Sequence, residues 1–354
     1  MRLGRPARSR GWLALAAVLL GLSAAPAAAA EPIRLKIVGG LAGISQYRQF
    51  EEPFWTKRLE EMSGGRLTAA VHPFDRSGLR AQDMLQLMKL GVVPFGTALL
   101  ALVAGDEPEL NVIDLPGLNP NFEVLRETVA AYRPHLRDVL KDRYGIELLG
   151  VYAYPAQVVY CAKSFRGLSD LAGRRVRTSS VSQSELVSAL GGVPVLVPFA
   201  ETVSAVSTGV VDCAITGTLS GYEIGLPEVT THIHAMALSW GLSFFGANRS
   251  AWEALPADLR DVLRAGIARL EQDIWTSADR DTARGLACNA GTTACDGRQG
   301  RMTLVPVTPE DEARRRRLLV EAVLPSWLDR CGTDCAAVWN EHMAERAGIR
   351  LKAE

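Results

Sequence analysis

GLSDLAGRRVRTSS at residues 167–180, followed at residues 197–216 by VPFAETVSAVSTGVVDCAIT, decides how this chain is read. The first stretch turns at Gly173, enters a strand at Val176 and leaves it through Thr178, Ser179 and Ser180, small hydroxyl residues that start a helix. The second is a helix that closes on Gly209 and a strand that runs to Thr216. One arginine, Arg177, therefore stands at the end of a buried strand. A guanidinium there can meet a carboxylate with two parallel hydrogen bonds, with hydroxyls and helix amides nearby. From chemistry alone a plain surface arginine is equally open. The arrangement suits capture of a small carboxylate, not its conversion.

Working outward, strand-like and helix-like segments alternate from Glu31 onward, the pattern of an α/β protein. A short apolar strand is predicted over 33–38, ending in Gly39 and Gly40. It leads to a helix whose apolar stripe includes Trp55, Leu59 and Met62, stopped by Gly64 and Gly65. The next strand is predicted over 67–71 and the next helix over 81–90, with Met84, Leu85 and Met88 inward; a third strand starts at Gly91. LMKLGVVPFGT (87–97) and AVSTGVVDCAIT (205–216) echo one another, each a helix closing on glycine before a strand that runs toward threonine. As two similar lobes, they would bring Thr97 and Thr216 to one cleft, because ligands of such sheets bind outside the carboxyl ends of strands.

Ser250 with Glu253 resembles a capping box. Beyond it Leu259, Leu263, Ile267, Leu270 and Ile274 keep a helical rhythm to about Gly285, roughly 45 Å of helix, long enough to cross both lobes. Thr308 and Pro309 start a last long helix. Its arginine run at 314–317 reads as a solvated face beside Glu310, Asp311 and Glu312.

The first thirty residues read as a secretory signal peptide: Arg2, Arg5, Arg8 and Arg10 form a cationic head, an apolar core follows, and Ala28, Ala29 and Ala30 precede Glu31. That core is too short for a spanning helix, so no membrane insertion of the mature chain is expected. No cysteine precedes Cys161, which argues against a lipid-modified start. Losing the leader leaves 35 basic against 39 acidic residues, and a mildly acidic chain does not suit nucleic acid. The remaining length allows two lobes, expected at 31–154 and 155–240 and completed by about 241–285 and 286–354.

The six cysteines agree with an oxidising compartment. Cys288 with Cys295 and Cys331 with Cys335 are disulfide candidates; a four-thiolate zinc site is the alternative, although the spacings are not the usual C-x2-C pairs. Cys161 and Cys213 lie in strand-like runs, as buried thiols or a strand-to-strand bridge. His232 and His234 would face the same way on a strand, but no third metal ligand is suggested. GxSxG, HExxH and GxxxxGK[ST] are absent, and residues 39–43 do not match the dinucleotide fingerprint. No cofactor and no catalytic activity are expected.

Seven segments carry a family resemblance: SGGRLTAAVHPFDRSGL (63–79), LMKLGVV (87–93), PELNVIDLPGL (108–118), LSDLAGRRVRTSS (168–180), LGGVPVLVPFAETVSAVSTGVVD (190–212), EVTTHIH (228–234) and ANRSAWEALPADLRDVL (247–263). In this order and spacing the chain resembles the extracytoplasmic solute-binding subunit of a tripartite ATP-independent periplasmic (TRAP) transporter. The resemblance implies a periplasmic, two-lobed, hinged α/β binding protein with a long helix spanning both lobes, delivering an organic acid to the TRAP permease. It also implies that Arg177, in the Gly-x-x-[Ile/Val/Leu]-Arg position begun by Gly173, binds the ligand carboxylate.

Three departures follow from that pattern. Ala156, followed by Gln157, stands where many members carry a second arginine. Cys213, Ala214, Ile215 and Thr216 replace Gly-Gln-Glu-Asn, and Leu99 takes a position that is often polar. These changes predict a monocarboxylate with an apolar or aromatic body, held by Arg177, Gln157 and Thr216 and lined by Trp240 and Tyr154, with Thr97 and Leu99 on the facing lobe. Tyr152 and Tyr154 alternate on one strand, and plain core is the other reading for each. A monomer is expected. A ligand-sensing subunit of a receptor kinase would share this sequence, and an exported enzyme would need a nucleophile and base that the chain does not offer.

Overall fold

Two sheets, one on each side of a double crossing of the chain, position everything that follows. The computed structural model describes residues 31–352 together with Met1 and Gly4, so the expected leader lies outside the described residues apart from those two. The first sheet has the order β2-β1-β3-β10-β4, built from Leu67–Pro73, Ile33–Gly39, Phe95–Leu99, Leu242–Asn248 and Ile146–Ala153. β1 runs parallel to β2 and β3, while β10 lies antiparallel between β3 and β4. Its apolar alternation shows in β1, where Leu35 and Ile37 are buried between exposed Arg34 and Lys36.

The second sheet has the order β11-β9-β5-β8-β6-β7: Thr303–Val305, His232–His234, Gln157–Cys161, Cys213–Gly217, Arg175–Thr178 and Val193–Leu196. Here β5 is the antiparallel insertion, against β8 and β9. Because β4 and β10 lie in the first sheet while β5 to β9 lie in the second, the chain crosses between sheets after β4 and again before β10. The crossings pair: Tyr154 donates its N–H to Gly241 O at 3.2 Å, and Gln157 donates to Ser239 O at 2.8 Å. Two short extended segments tied to each other are a natural hinge.

The third connection is the helix Ala257–Ala290. Leu259, Leu263, Ile267, Leu270 and Ile274 cluster with Phe54, Trp55 and Phe245 of the first lobe. Toward its other end Gly285 meets the helix Thr218–Glu223, where a Cβ would lie 2.3 Å from Leu219 N. The helix therefore spans both lobes, and it runs five residues beyond the expected Gly285 before Gly291, at φ 72°, ends it.

Three cystines close the described chain: Cys161–Cys213, Cys288–Cys295 and Cys331–Cys335. The first joins residues that are direct partners on β5 and β8, so the strand-to-strand alternative holds. Among the described residues no group of four cysteines converges as a zinc site.

Several local expectations shift. β3 begins at Phe95 and not at Gly91, because Gly91, at φ 74°, closes the preceding helix and Val92 lies in the turn. The echo of the two halves survives as identical bonding: Val93 N to Leu87 O and Val211 N to Ala205 O, both 3.1 Å, each across a glycine with positive φ. Met62 on the first helical stripe is 44 % exposed. The cap before Glu253 is Asn248, which accepts from Ala251 N, and not Ser250. Thr308 caps the last long helix in a capping box, with Asp311 as its partner. Its arginine run is not simply solvated: Arg315 is buried and donates to Gly117 O, and Arg314 donates to Ser169 Oγ.

Candidate functional site

Arg177 lies on β6 between β8 and β7, paired with Ala214 and Val195. Register places its side chain on the face that carries Ala214 and, one pleat further, Thr216. Arg177 is 2 % exposed. Its guanidinium Nε donates to Val197 O at 2.9 Å and its Nη1 to Ile215 O at 2.8 Å. Among the described residues no carboxylate pairs with it, and burial alone pushes its pKa down to about 10. A buried cation held only by neutral carbonyls carries an unmet electrostatic demand for an anion. In that respect it differs from Arg175, two residues earlier, which pairs with Asp212 at 2.9 Å on the surface.

The hydroxyl run after Arg177 is spent on structure. Ser180 Oγ caps the helix Val181–Ala189 by accepting from Gln183 N at 3.1 Å, Thr178 pairs with Ser184 at 2.8 Å, and Gln183 reaches Ser239 at the hinge at 3.2 Å. These groups set Arg177's strand against the hinge instead of facing a ligand. Thr216 is buried opposite Val158. Gln157 pairs with Gly217 and so faces the opposite side of the sheet from Arg177 and Thr216. Its amide fills the space between two glycines, with Nε2 3.2 Å from where a Gly217 Cβ would be and 3.1 Å from that of Gly241.

The facing lobe contributes an apolar cluster. Leu41, Ile44 and Tyr154 are buried together, with Phe74, Leu99 and Phe199 packed against them. Phe199 belongs to the second lobe and follows Val197, the residue that accepts from Arg177 Nε. The structure thus brings together Tyr154 and Leu99, both expected, with Phe199, Leu41 and Ile44, which sequence reasoning missed.

Beside this cluster sits a polar nest around Glu51, itself 1 % exposed. Glu51 Oε2 accepts from Gly40 N at 2.8 Å and Oε1 from Gln46 Nε2 at 3.1 Å. Burial raises its pKa against those donors. Thr97 Oγ1, Tyr152 OH, Tyr154 OH and Gln46 Oε1 lie around it, with Ser243 Oγ beside Tyr154, all buried without a well-formed hydrogen bond of their own. Gly40 permits the approach: a Cβ there would lie 2.6 Å from Glu51 Oε1 and 3.2 Å from Tyr154 OH. Thr97 therefore belongs to this nest. The two glycines ending β1 were its only sequence signal.

Trp240 corrects the expected pocket. Its Nε1 donates to Asn119 O at 2.9 Å and its ring meets Phe122 at 5.3 Å, within the main core. Its N–H and that of Gly241 each donate to Asp114 at 2.7 Å, and burial pushes the Asp114 carboxyl up to about 7 against those two donors. The indole anchors the hinge crossing instead of joining the Tyr154 cluster. The two histidines diverge in role as well: His234 is buried against Asp311 at 3.3 Å, and His232 bonds Thr231.

A family model for bacterial extracellular solute-binding protein, family 7, matches residues 45–290. The C4-dicarboxylate-binding periplasmic protein DctP of Rhodobacter capsulatus is 24% identical over 284 residues, 78% of this chain and 84% of its own. The crystal structure of DctP7, a Bordetella pertussis extracytoplasmic solute receptor binding pyroglutamic acid, superposes with a TM-score of 0.78 at 23% identity, covering 88% of this chain and 99% of that one. A TRAP periplasmic solute-binding protein from Desulfovibrio salexigens with bound orotic acid gives 0.77 at 18% identity, covering 89% and 99%. No helix among the described residues is long and apolar enough to cross a membrane.

Proposed function

The chain belongs to bacterial extracellular solute-binding protein family 7, the solute-binding subunits of TRAP transporters, and from that premise we propose that it captures an organic monocarboxylate in the periplasm for delivery to a membrane permease. The family is one of transport proteins, not enzymes. The observation that carries the reading is Arg177: 2 % exposed, its guanidinium held by two carbonyls, with no acidic partner among the described residues. A ligand carboxylate would complete it with charge-assisted bonds in a site already shielded from water.

The ligand body is proposed to be apolar or aromatic in the main. Leu41, Ile44, Leu99 and Phe199 supply the apolar side, and Thr216, on the same sheet face as Arg177, supplies one hydroxyl. Tyr154, together with Thr97 and Glu51, offers a hydrogen-bonding corner. Pyroglutamic and orotic acids, bound by the two solved relatives, are ring monocarboxylates with amide groups and match that division. A second carboxylate would find no further cation in this set. The lobes are proposed to divide near residue 154 and residue 240, where the paired crossings lie.

Thermal denaturation against pyroglutamate, orotate, benzoate, succinate and a neutral amide tests this, since a ligand at 100 times its Kd stabilises by about 2.7 kcal/mol. Ring monocarboxylates should raise the transition and succinate should not. A rise with the neutral amide and with no acid would refute the organic-acid reading.

A further inference from the structure

We infer that Glu223 is a positioning residue that latches the two lobes shut, controlling how long a bound acid is retained without touching it. Glu223 ends the helix Thr218–Glu223, which follows β8 in the second lobe. Its carboxylate reaches across to the first lobe. Oε2 accepts from the Ser45 N–H at 3.0 Å, and Oε1 accepts from the Ser45 hydroxyl and from Arg48 Nη2, the latter at 2.8 Å. The partners are 175 and 178 residues away in the chain.

The chemistry is that of a helix cap supplied by another lobe. Ser45 immediately precedes the helical segment Gln46–Glu51 and its own side chain does not cap it. The orphan amides and positive end of a helix favour an anion, and Glu223 provides one from outside. Ser45 is buried, whereas Arg48 is exposed, so the hydroxyl and amide bonds are shielded and the guanidinium adds a solvent-screened third.

Two features tie this contact to the cleft. Ser45 follows Ile44 directly, and Ile44 lies in the cluster against which Phe199 of the second lobe packs. One short segment, Leu41 to Arg48, is thereby clasped twice by the second lobe, once beside the proposed pocket and once by Glu223. A like charge is close as well. Asp281 on the spanning helix is bonded by Ser277 Oγ at 2.9 Å, and its pKa is raised, first by burial and in smaller part by Glu223. Arg284 faces the same carboxylates and offsets part of that repulsion. A latch with a like charge behind it holds but can release.

The retained ligand is the acid of the reading above, whereas the contact itself is independent of it, so the experiment has two arms. In the first, Glu60→Cys and Ser207→Cys, exposed positions on helices of the two lobes, carry spin labels, and the inter-label distance is measured without ligand; all six native cysteines are paired. Glu223→Ala should shift the distribution to longer distance than the parent, with Glu223→Gln between them because its amide oxygen still accepts from Ser45. In the second, pyroglutamate or orotate release is timed, and Glu223→Ala should speed it about ten-fold or more, the size expected for losing a part-buried charge-assisted contact. Identical distance distributions in all three proteins overturn the latch, as does an unchanged release rate. A distance shift with no acid bound by any variant supports the latch and removes the acid reading instead.

Discussion

Replacing Arg177 by methionine separates binding from folding. The guanidinium is almost wholly buried without a counter-ion, and burial lowers its pKa from the ordinary arginine value to about 10; at 1.36 kcal/mol per decade that corresponds to a cost of about 3 kcal/mol in the unliganded fold. For a base whose folded pKa is depressed, the cost is fully present below pH 10 and is relieved only as pH rises from there toward the ordinary arginine value. Methionine removes this cost and fills similar volume. It also removes two hydrogen bonds, to Val197 O and Ile215 O, together worth about 2 kcal/mol net by the usual bond value. The terms nearly cancel, so Arg177→Met should change unliganded stability by less than about 2 kcal/mol, or a few degrees in Tm for a chain of this size. Acid-induced stabilisation should vanish in the same protein. Urea and thermal unfolding with and without pyroglutamate or orotate provide the assay. A loss of about 4 kcal/mol or more without ligand, with acid stabilisation intact, would refute the reasoning and make Arg177 a structural cornerstone.

Other consequences are equally open to measurement. Gly285→Ala forces a methyl to within 2.3 Å of Leu219 N and 2.4 Å of Thr218 C, so calorimetric unfolding should show a loss of about 1–3 kcal/mol; an unchanged Tm would mean that the helices separate freely. Removing the Cys161–Cys213 bridge, which spans 52 residues, should cost about 4 kcal/mol by loop entropy in denaturant unfolding, and a loss below 1 kcal/mol would contradict that model. Phe199→Ala should weaken aromatic acids more than succinate in a competition assay, whereas equal weakening would place Phe199 outside the ligand contact. Trp240→Phe loses the indole N–H bond to Asn119 and ring volume from the core, so stability should fall by about 2 kcal/mol or more with acid affinity kept; a selective affinity loss would return Trp240 to the pocket.

How much of this could be read in the chain follows local chemistry. Arg177 was legible because Gly173, at φ 74°, forces the turn that begins its strand, and the residues around it form one unit. The α/β order and the spanning helix were legible because apolar periodicity is local, as at Leu259 through Ile274. Trp240 was not. An aromatic beside a hinge can face either way, and what holds it, Asp114 and Asn119, comes from more than 120 residues earlier. Glu51 carried no local signal, because the room that Gly39 and Gly40 leave to bury it exists only in the folded chain. Phe199 stood inside the most informative stretch, yet its contact with Ile44 and Leu99 depends on how two lobes meet, which no periodicity encodes. The hydroxyls after Arg177 were legible as a helix start, which Ser180 fulfils as the cap, but their partners Ser184 and, through Gln183, Ser239 are defined only by the folded turn.

Titration calorimetry of the ring monocarboxylate that gives the largest thermal shift, carried out on the parent chain and on Arg177→Ala, tests the central claim most directly. Loss of one partner of a desolvated, hydrogen-bonded ion pair costs about 2–5 kcal/mol. The account predicts Kd raised about 30-fold or more in Arg177→Ala, at about 1.4 kcal/mol per decade. An undiminished affinity for the same acid would contradict it, and with it the assignment of this buried arginine as the carboxylate anchor.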